Sequence, residues 1–193
     1  MDAFLTSTAL VALAEIGDKT QLLALVLTAR FRKPLPIVCG ILVATLENHA
    51  LASWAGAEVA QWLDGPWFSA VVAFSFIAMG LWALVPDKLD QNTAARPHGS
   101  AFLVTSTSFF LAEMGDKTQL ATVALGARFE AVGAVTAGTT IGMLLANVPV
   151  VFLGEKIMRR IPLQAVRVAA ATLFLALGLL MLARGAMLQP SMA

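Results

Sequence analysis

The sequence predicts an all-α polytopic membrane protein, with six transmembrane helices built as two inverted three-helix repeats. Three observations carry that expectation. Of 193 residues, 59% are hydrophobic and only 13% charged, whereas an ordinary soluble domain is about half apolar and about a quarter charged. These charges are too few to cover a soluble surface. The apolar residues also fall into continuous runs near the roughly 20 residues that a helix needs to cross a bilayer. They do not form the alternating segments of about ten residues that mark a membrane barrel. Finally, the two halves match at a constant offset. Adding 98 to a first-half position reaches its partner: Phe4 meets Phe102, Gly40 meets Gly138, Gly56 meets Gly154, Phe76 meets Phe174 and Gly80 meets Gly178. Residues 13–31 and 111–129 share 13 identities in 19 ungapped positions, as duplication of a three-helix unit requires.

The first run extends from Phe4 to about Ala29 and closes at Arg30-Phe31-Arg32-Lys33-Pro34, where cations meet a helix-breaking proline. It lacks the basic start of a cleavable signal, so it is expected to remain as a span. The second runs from about Leu35 to Trp54, followed by a loop with Glu58, Asp64, Gly65 and Pro66. The third, from Trp67 to Val85, has no charged residue. The polar stretch up to Ser100 reads as a connector. Residues 1–86 are thus the first repeat, 87–100 the linker, and 101–193 the second repeat with a short tail. The fourth run starts at Ala101 and ends near Arg128-Phe129-Glu130. The fifth, from Val132 to Leu153, carries Gly138-x-x-x-Gly142, a small-residue face that lets helix backbones approach in lipid. The sixth runs from about Val168 to Leu182.

An odd number of spans per unit turns the second copy over, as in transporters built from inverted repeats. With the N-terminus outside, the inside loops hold Arg30, Arg32, Lys33, Lys88, Arg96, Lys156, Arg159, Arg160 and Arg167, and the outside regions only Arg128 and Arg184. The positive-inside rule therefore places both termini on the non-cytoplasmic side.

Within the first run stands Ala14-Glu15-Ile16-Gly17-Asp18-Lys19-Thr20-Gln21-Leu22, and within the fourth Ala112-Glu113-Met114-Gly115-Asp116-Lys117-Thr118-Gln119-Leu120. On a continuous helix, at about 100° per residue, Glu15, Asp18 and Lys19 share one face, with Gly17 and Thr20 away from it. An ionised side chain at mid-bilayer costs at least about 2.5–3.5 kcal/mol. Such groups are tolerated when they face protein, water or one another. Glu15 and Lys19 at i, i+4 permit an internal salt bridge, but two copies at symmetric depth point to a shared cavity. Four carboxylates and two lysines leave it a formal charge of −2, which one divalent cation would neutralise. Carboxylate oxygens suit Mg²⁺, Ca²⁺ and Mn²⁺. Glu15, Asp18, Glu113 and Asp116 are the expected metal ligands. Thr20, Gln21, Thr118, Gln119, Asn48 and Asn147 are secondary donors, while Lys19, Lys117, Glu47 and His49 are candidates for charge or proton coupling. When the cation leaves, protons can restore the charge balance, which is the basis for exchange.

Other chemistries are not expected. No basic run suits nucleic acid. Cys39 is the only cysteine, so no intrachain disulfide forms. The two histidines, His49 and His98, stand apart from each other and from both motifs in the chain, and no hydrolase motif is present. No enzyme activity or resident cofactor is expected. The partners are the lipid bilayer and the transported cation and protons.

The repeated Glu-apolar-Gly-Asp-Lys-Thr signature in a six-span chain of this size resembles that of the Gdt-type cation transporters, within the cation/calcium exchanger superfamily. The resemblance covers essentially the whole chain and is nearest to the bacterial manganese-exporter branch. It implies a secondary transporter moving Mn²⁺, and Ca²⁺ in some members, against protons. It places the acidic motif residues at Glu15, Asp18, Glu113 and Asp116, and the protein in a bacterial plasma (inner) membrane. A Ca²⁺/H⁺ antiporter with the same site and a passive cation channel are the alternatives. The residues do not rank Mn²⁺ against Ca²⁺ and do not give an oligomeric state.

Overall fold

Helices account for the regular structure. The computed structural model describes residues 1–63, 66–85, 99–154, 156 and 161–187, and no strand occurs among them. In chain order the helices are α1 (Asp2–Glu15), α2 (Lys19–Phe31), α3 (Pro34–Trp62), α4 (Pro66–Ala83), α5 (Ala101–Glu113), α6 (Lys117–Phe129), α7 (Val132–Leu153) and α8 (Leu163–Met187). Three are long and apolar enough to cross a membrane, over Pro34–Trp62, Val132–Leu153 and Leu163–Arg184. Shorter apolar helices cover Trp67–Ala83 and Ala101–Glu113. Residues 87–98 of the expected linker, with Lys88, Arg96 and His98, Arg159 and Arg160 of the basic loop, and Asp64 and Gly65 lie outside the described residues, while Ser100 caps α5 by accepting the Leu103 N–H at 3.3 Å.

Two expectations about the elements are corrected. The first and fourth runs are not continuous helices: each breaks inside the motif, at residues 16–18 and 114–116. The second helix does not stop at Trp54. It continues to Trp62 and takes in Glu58, whose carboxylate accepts a hydrogen bond from the Trp62 indole at 3.0 Å.

The repeat extends into backbone detail. α2 ends at Arg32 and α6 at Glu130, both left-handed (φ 52° and 51°), and each N–H closes on the carbonyl four residues back. Arg30 lies over the Phe31 ring and Arg128 over Phe129. Packing is crosswise: α1 lies along α7 of the other half, α5 lies along α3, and α4 pairs with α8. Gly138 and Gly142 make the first of these contacts possible. A Cβ on Gly138 would stand 2.5 Å from the Phe4 carbonyl, and one on Gly142 2.7 Å from that of Thr8. Phe76 and Phe174, equivalent positions, meet each other with ring centroids 6.3 Å apart.

Large apolar side chains cover the outside, and many polar ones are buried beside an apolar core. Leu46, Trp54, Phe74, Leu103, Leu145 and Phe152 are exposed. Ser7, Thr45, Asn48, His49, Ser53, Thr105, Thr139 and Asn147 are buried. In water this arrangement would expose a large apolar surface; in lipid it is the stable one, since polar groups find partners only inside the protein. Asp2, Arg128 and Arg184 line one cleft, so the chain start and the late turns of α6 and α8 gather at one end.

Candidate metal centre

The site begins with a glycine in each motif. Glu15 ends α1, Ile16 is extended, and Gly17 has φ +85°. Asp18 is again extended (ψ 170°) and stands as the N-cap position of α2. The second copy repeats this with Met114, Gly115 at φ +74° and Asp116 at ψ 166°. Positive φ is open to glycine at little cost and strained for other residues. The break closes on itself through Asp18 N–H to the Glu15 carbonyl (3.0 Å) and Asp116 N–H to the Glu113 carbonyl (3.1 Å).

Each remaining motif letter has a task. Gln21 Oε1 accepts the Gly17 N–H at 2.8 Å, and Gln119 Oε1 accepts the Gly115 N–H at 2.6 Å. Their amide nitrogens reach into the opposite half: Gln21 Nε2 donates to the Ala146 carbonyl at 2.7 Å and Gln119 Nε2 to Asn48 Oδ1 at 2.9 Å. Position 146 is the 98-residue counterpart of 48, so the two staples are equivalent. Thr20 Oγ1 donates to Glu15 Oε2, and Thr118 Oγ1 to Glu113 Oε2 at 3.0 Å. Each hydroxyl orients a carboxylate from its own half.

The lysines pair across the halves. Lys19 Nζ lies 2.8 Å from Asp116 Oδ1, and Lys117 Nζ 3.7 Å from Asp18 Oδ1. The structure therefore replaces the internal Glu15–Lys19 bridge that a continuous helix would permit. It also brings Thr20, expected to point away, onto Glu15. Two aspartate–lysine pairs cancel in charge, so the formal −2 resides on Glu15 and Glu113. Both are fully buried. Carboxylate oxygens of Glu15, Glu113 and Asp116 all lie within 4.8 Å of one another, a spacing that could hold one metal ion. Asp18 is buried beside Lys117 and is not one of these three. Glu15 and Glu113 also terminate α1 and α5, where the negative end of the helix dipole favours a cation.

The secondary candidates separate. The Gln21 and Gln119 amide oxygens are engaged by the glycine N–H groups, and that of Asn48 by Gln119. Asn147 Nδ2 donates to the Met143 carbonyl one turn back at 3.1 Å, and its buried Oδ1 has no partner among the described residues. Glu47 is on the exposed face of α3 and outside the carboxylate group. His49 corrects the sequence reading: it is not remote from the motifs. Its Nε2 lies 3.8 Å from Glu113 Oε2, fully buried. The signal for the break was present, since glycine commonly follows a helix C-terminus and aspartate commonly starts one. The proximity of His49 had no local signal.

Residues 3–91 and 101–188 match the family described as "Divalent cation/proton antiporter GDT1". The chain is 49% identical to a "Putative manganese exporter" of Vibrio cholerae serotype O1 over 180 residues, covering 93% of this chain and 90% of that protein. It is 26% identical to GDT1-like protein 5 of Arabidopsis thaliana over 93% of this chain and 94% of the relative. It is 28% identical to GDT1-like protein sll0615 of Synechocystis over 90% and 93%. No solved structure matches it. Matched along both halves and carrying buried carboxylates from both motifs, the chain belongs to the GDT1 family of divalent cation/proton antiporters, which are transporters and not enzymes.

Proposed function

We propose that this protein exports Mn²⁺ across a bacterial inner membrane in exchange for protons, by alternating access at the carboxylate centre between its halves. The observation that carries this reading is the convergence of Glu15, Glu113 and Asp116, drawn from both motif copies, in a buried group. Asp18 joins the proposed site through its pairing with Lys117. The 49% identity to the Vibrio protein favours Mn²⁺. Ca²⁺, with the same oxygen donors, is the competing cargo. The cation is substrate and not a resident cofactor.

Exchange follows from charge. With both aspartate–lysine pairs formed, one divalent cation balances Glu15 and Glu113. Two protons on the same carboxylates balance them equally well. A centre that is neutral in either loaded state can reorient in a low-dielectric surround, whereas the empty doubly charged centre resists it. Coupling then needs no separate proton channel.

Six spans in two inverted repeats fit this mechanism. Each broken helix pair counts as one span, and the crosswise contacts of α1 with α7 and α5 with α3 are those expected of halves related by a pseudo-two-fold axis. The gathering of Asp2, Arg128 and Arg184 at one end supports a common side for the start of α1 and the end of α8, and the loop charges argue that this side is the non-cytoplasmic one.

The test is metal flux in proteoliposomes with an imposed pH gradient. The wild-type chain should move Mn²⁺ and acidify or alkalinise the lumen in the opposite sense. Glu15→Gln and Glu113→Gln should reduce flux to that of empty liposomes while the protein remains inserted. Mn²⁺ flux without proton movement would instead identify a channel.

A further inference from the structure

His49 is a fully buried side chain near the carboxylates that the repeat does not duplicate: its counterpart is Asn147. It follows Asn48 on α3, whose side-chain oxygen accepts a hydrogen bond from Gln119 of the second motif. Its Nε2 is 3.8 Å from Glu113 Oε2. Neither ring nitrogen has a hydrogen-bond partner among the described residues, and neither do Glu15 Oε1 and Glu113 Oε1. A histidine that merely packs in a core normally satisfies at least one nitrogen. Here the unsatisfied imidazole and unsatisfied carboxylate oxygens occupy the same interior, as donors awaiting a cation do.

Neighbouring donors on a six-coordinate ion with bonds of roughly 2.1–2.5 Å stand roughly 3–3.5 Å apart. His49 Nε2, 3.8 Å from Glu113 Oε2, stands just wider than that spacing and outside the group formed by Glu15, Glu113 and Asp116, so it joins a cation held there by closing toward it. We infer that His49 is the selectivity ligand of this centre: Nε2 enters the coordination shell beside Glu113 and favours first-row transition cations such as Mn²⁺ over Ca²⁺ and Mg²⁺. The chemistry is that of donor type. Ca²⁺ and Mg²⁺ take oxygen ligands, whereas imidazole nitrogen is a good ligand for transition metals. A cage of carboxylates offers Mn²⁺ and Ca²⁺ the same donor type, and one nitrogen tilts the choice to Mn²⁺. Because the repeat supplies oxygen-bearing Asn147 at the equivalent position, the nitrogen enters from one half only.

This inference rests on the proposed carboxylate centre, and its test keeps the two apart. The full chain is reconstituted in nanodiscs with Mn²⁺ alone, and electron spin-echo modulation from ¹⁴N is recorded, followed by Mn²⁺ and Ca²⁺ binding titrations. Wild type should show nitrogen coupling to the bound ion. His49→Asn, which copies the second half, should lose it. That variant's Mn²⁺ affinity should fall by at least the roughly 10–100-fold that loss of an outer-shell partner costs, with Ca²⁺ affinity retained. Bound Mn²⁺ without nitrogen coupling in the wild type overturns the assignment, as does an unchanged Mn²⁺/Ca²⁺ ratio in His49→Asn. Glu113→Gln distinguishes the failures. If it binds Mn²⁺ as wild type does, the carboxylate centre is wrong and the His49 assignment falls with it. If it loses Mn²⁺ while wild type lacks nitrogen coupling, only the His49 assignment falls. The nitrogen signal is read on the wild-type chain, so a variant that fails to fold does not remove the test.

Discussion

Gly17 and Gly115 decide whether the motif residues can meet. On an unbroken helix Glu15 and Thr20 point apart; with a positive-φ glycine between them, Thr20 donates to Glu15. An alanine at either glycine must adopt the same backbone at a cost of about 1–3 kcal/mol. Gly17→Ala also displaces a Leu163 methyl, which would lie 2.8 Å from the new Cβ, while Gly115→Ala meets nothing within 4 Å. Both variants should melt at lower temperature in detergent, with Gly17→Ala lower by a small margin. Equal stability to wild type would show that the break is not needed. Charge is also decided residue by residue. The aspartates are matched by lysines, which leaves Glu15 and Glu113 as the pair that a divalent cation or two protons can neutralise.

Between elements, the ion pairs and glutamine staples join helices that belong to different halves. Lys19 at the start of α2 is tied to Asp116 before α6, and Gln119 on α6 is tied to Asn48 on α3. Removing one partner of a buried pair leaves an uncompensated charge, at a cost of up to about 3–5 kcal/mol. Lys19→Met should therefore destabilise the protein more than Lys117→Met, because the pair distances are 2.8 and 3.7 Å. Thermal unfolding of the purified variants measures the difference, and the reverse order would contradict the pairing described. The helix contacts themselves depend on small residues: at Gly138 and Gly142 the α7 backbone meets that of α1, and any larger side chain would push the two apart.

For the whole molecule the apolar exterior dictates a bilayer, and orientation is the open quantity that can be measured directly. α3, at 29 residues, is roughly 43 Å long at about 1.5 Å per residue, enough to cross a hydrocarbon core of about 30 Å. Its ends should therefore be accessible from opposite sides. Cys39 is exposed and must first be replaced by serine. In that background, a cysteine at Lys33 should react with an impermeant thiol reagent from the cytoplasm and one at Gln61 from the other face. Labelling in the opposite pattern would invert the proposed topology.

Much of this was legible in the chain. Six apolar runs, the 98-residue offset and two intact acidic motifs are properties of residue order. They suffice for the helical membrane class and for naming Glu15, Asp18, Glu113 and Asp116 as candidate ligands. The break was missed because a helical wheel assumes the continuity that Gly17 removes. The sequence by itself determined which groups had to be kept from lipid, since hydropathy and charge are carried by the residues alone. Only the tertiary structure decided how those groups are partnered: Lys19 with Asp116, Gln119 with Asn48, and His49 beside Glu113. Those partners lie far apart in the chain, and no local pattern encodes a contact that exists only after two halves have docked.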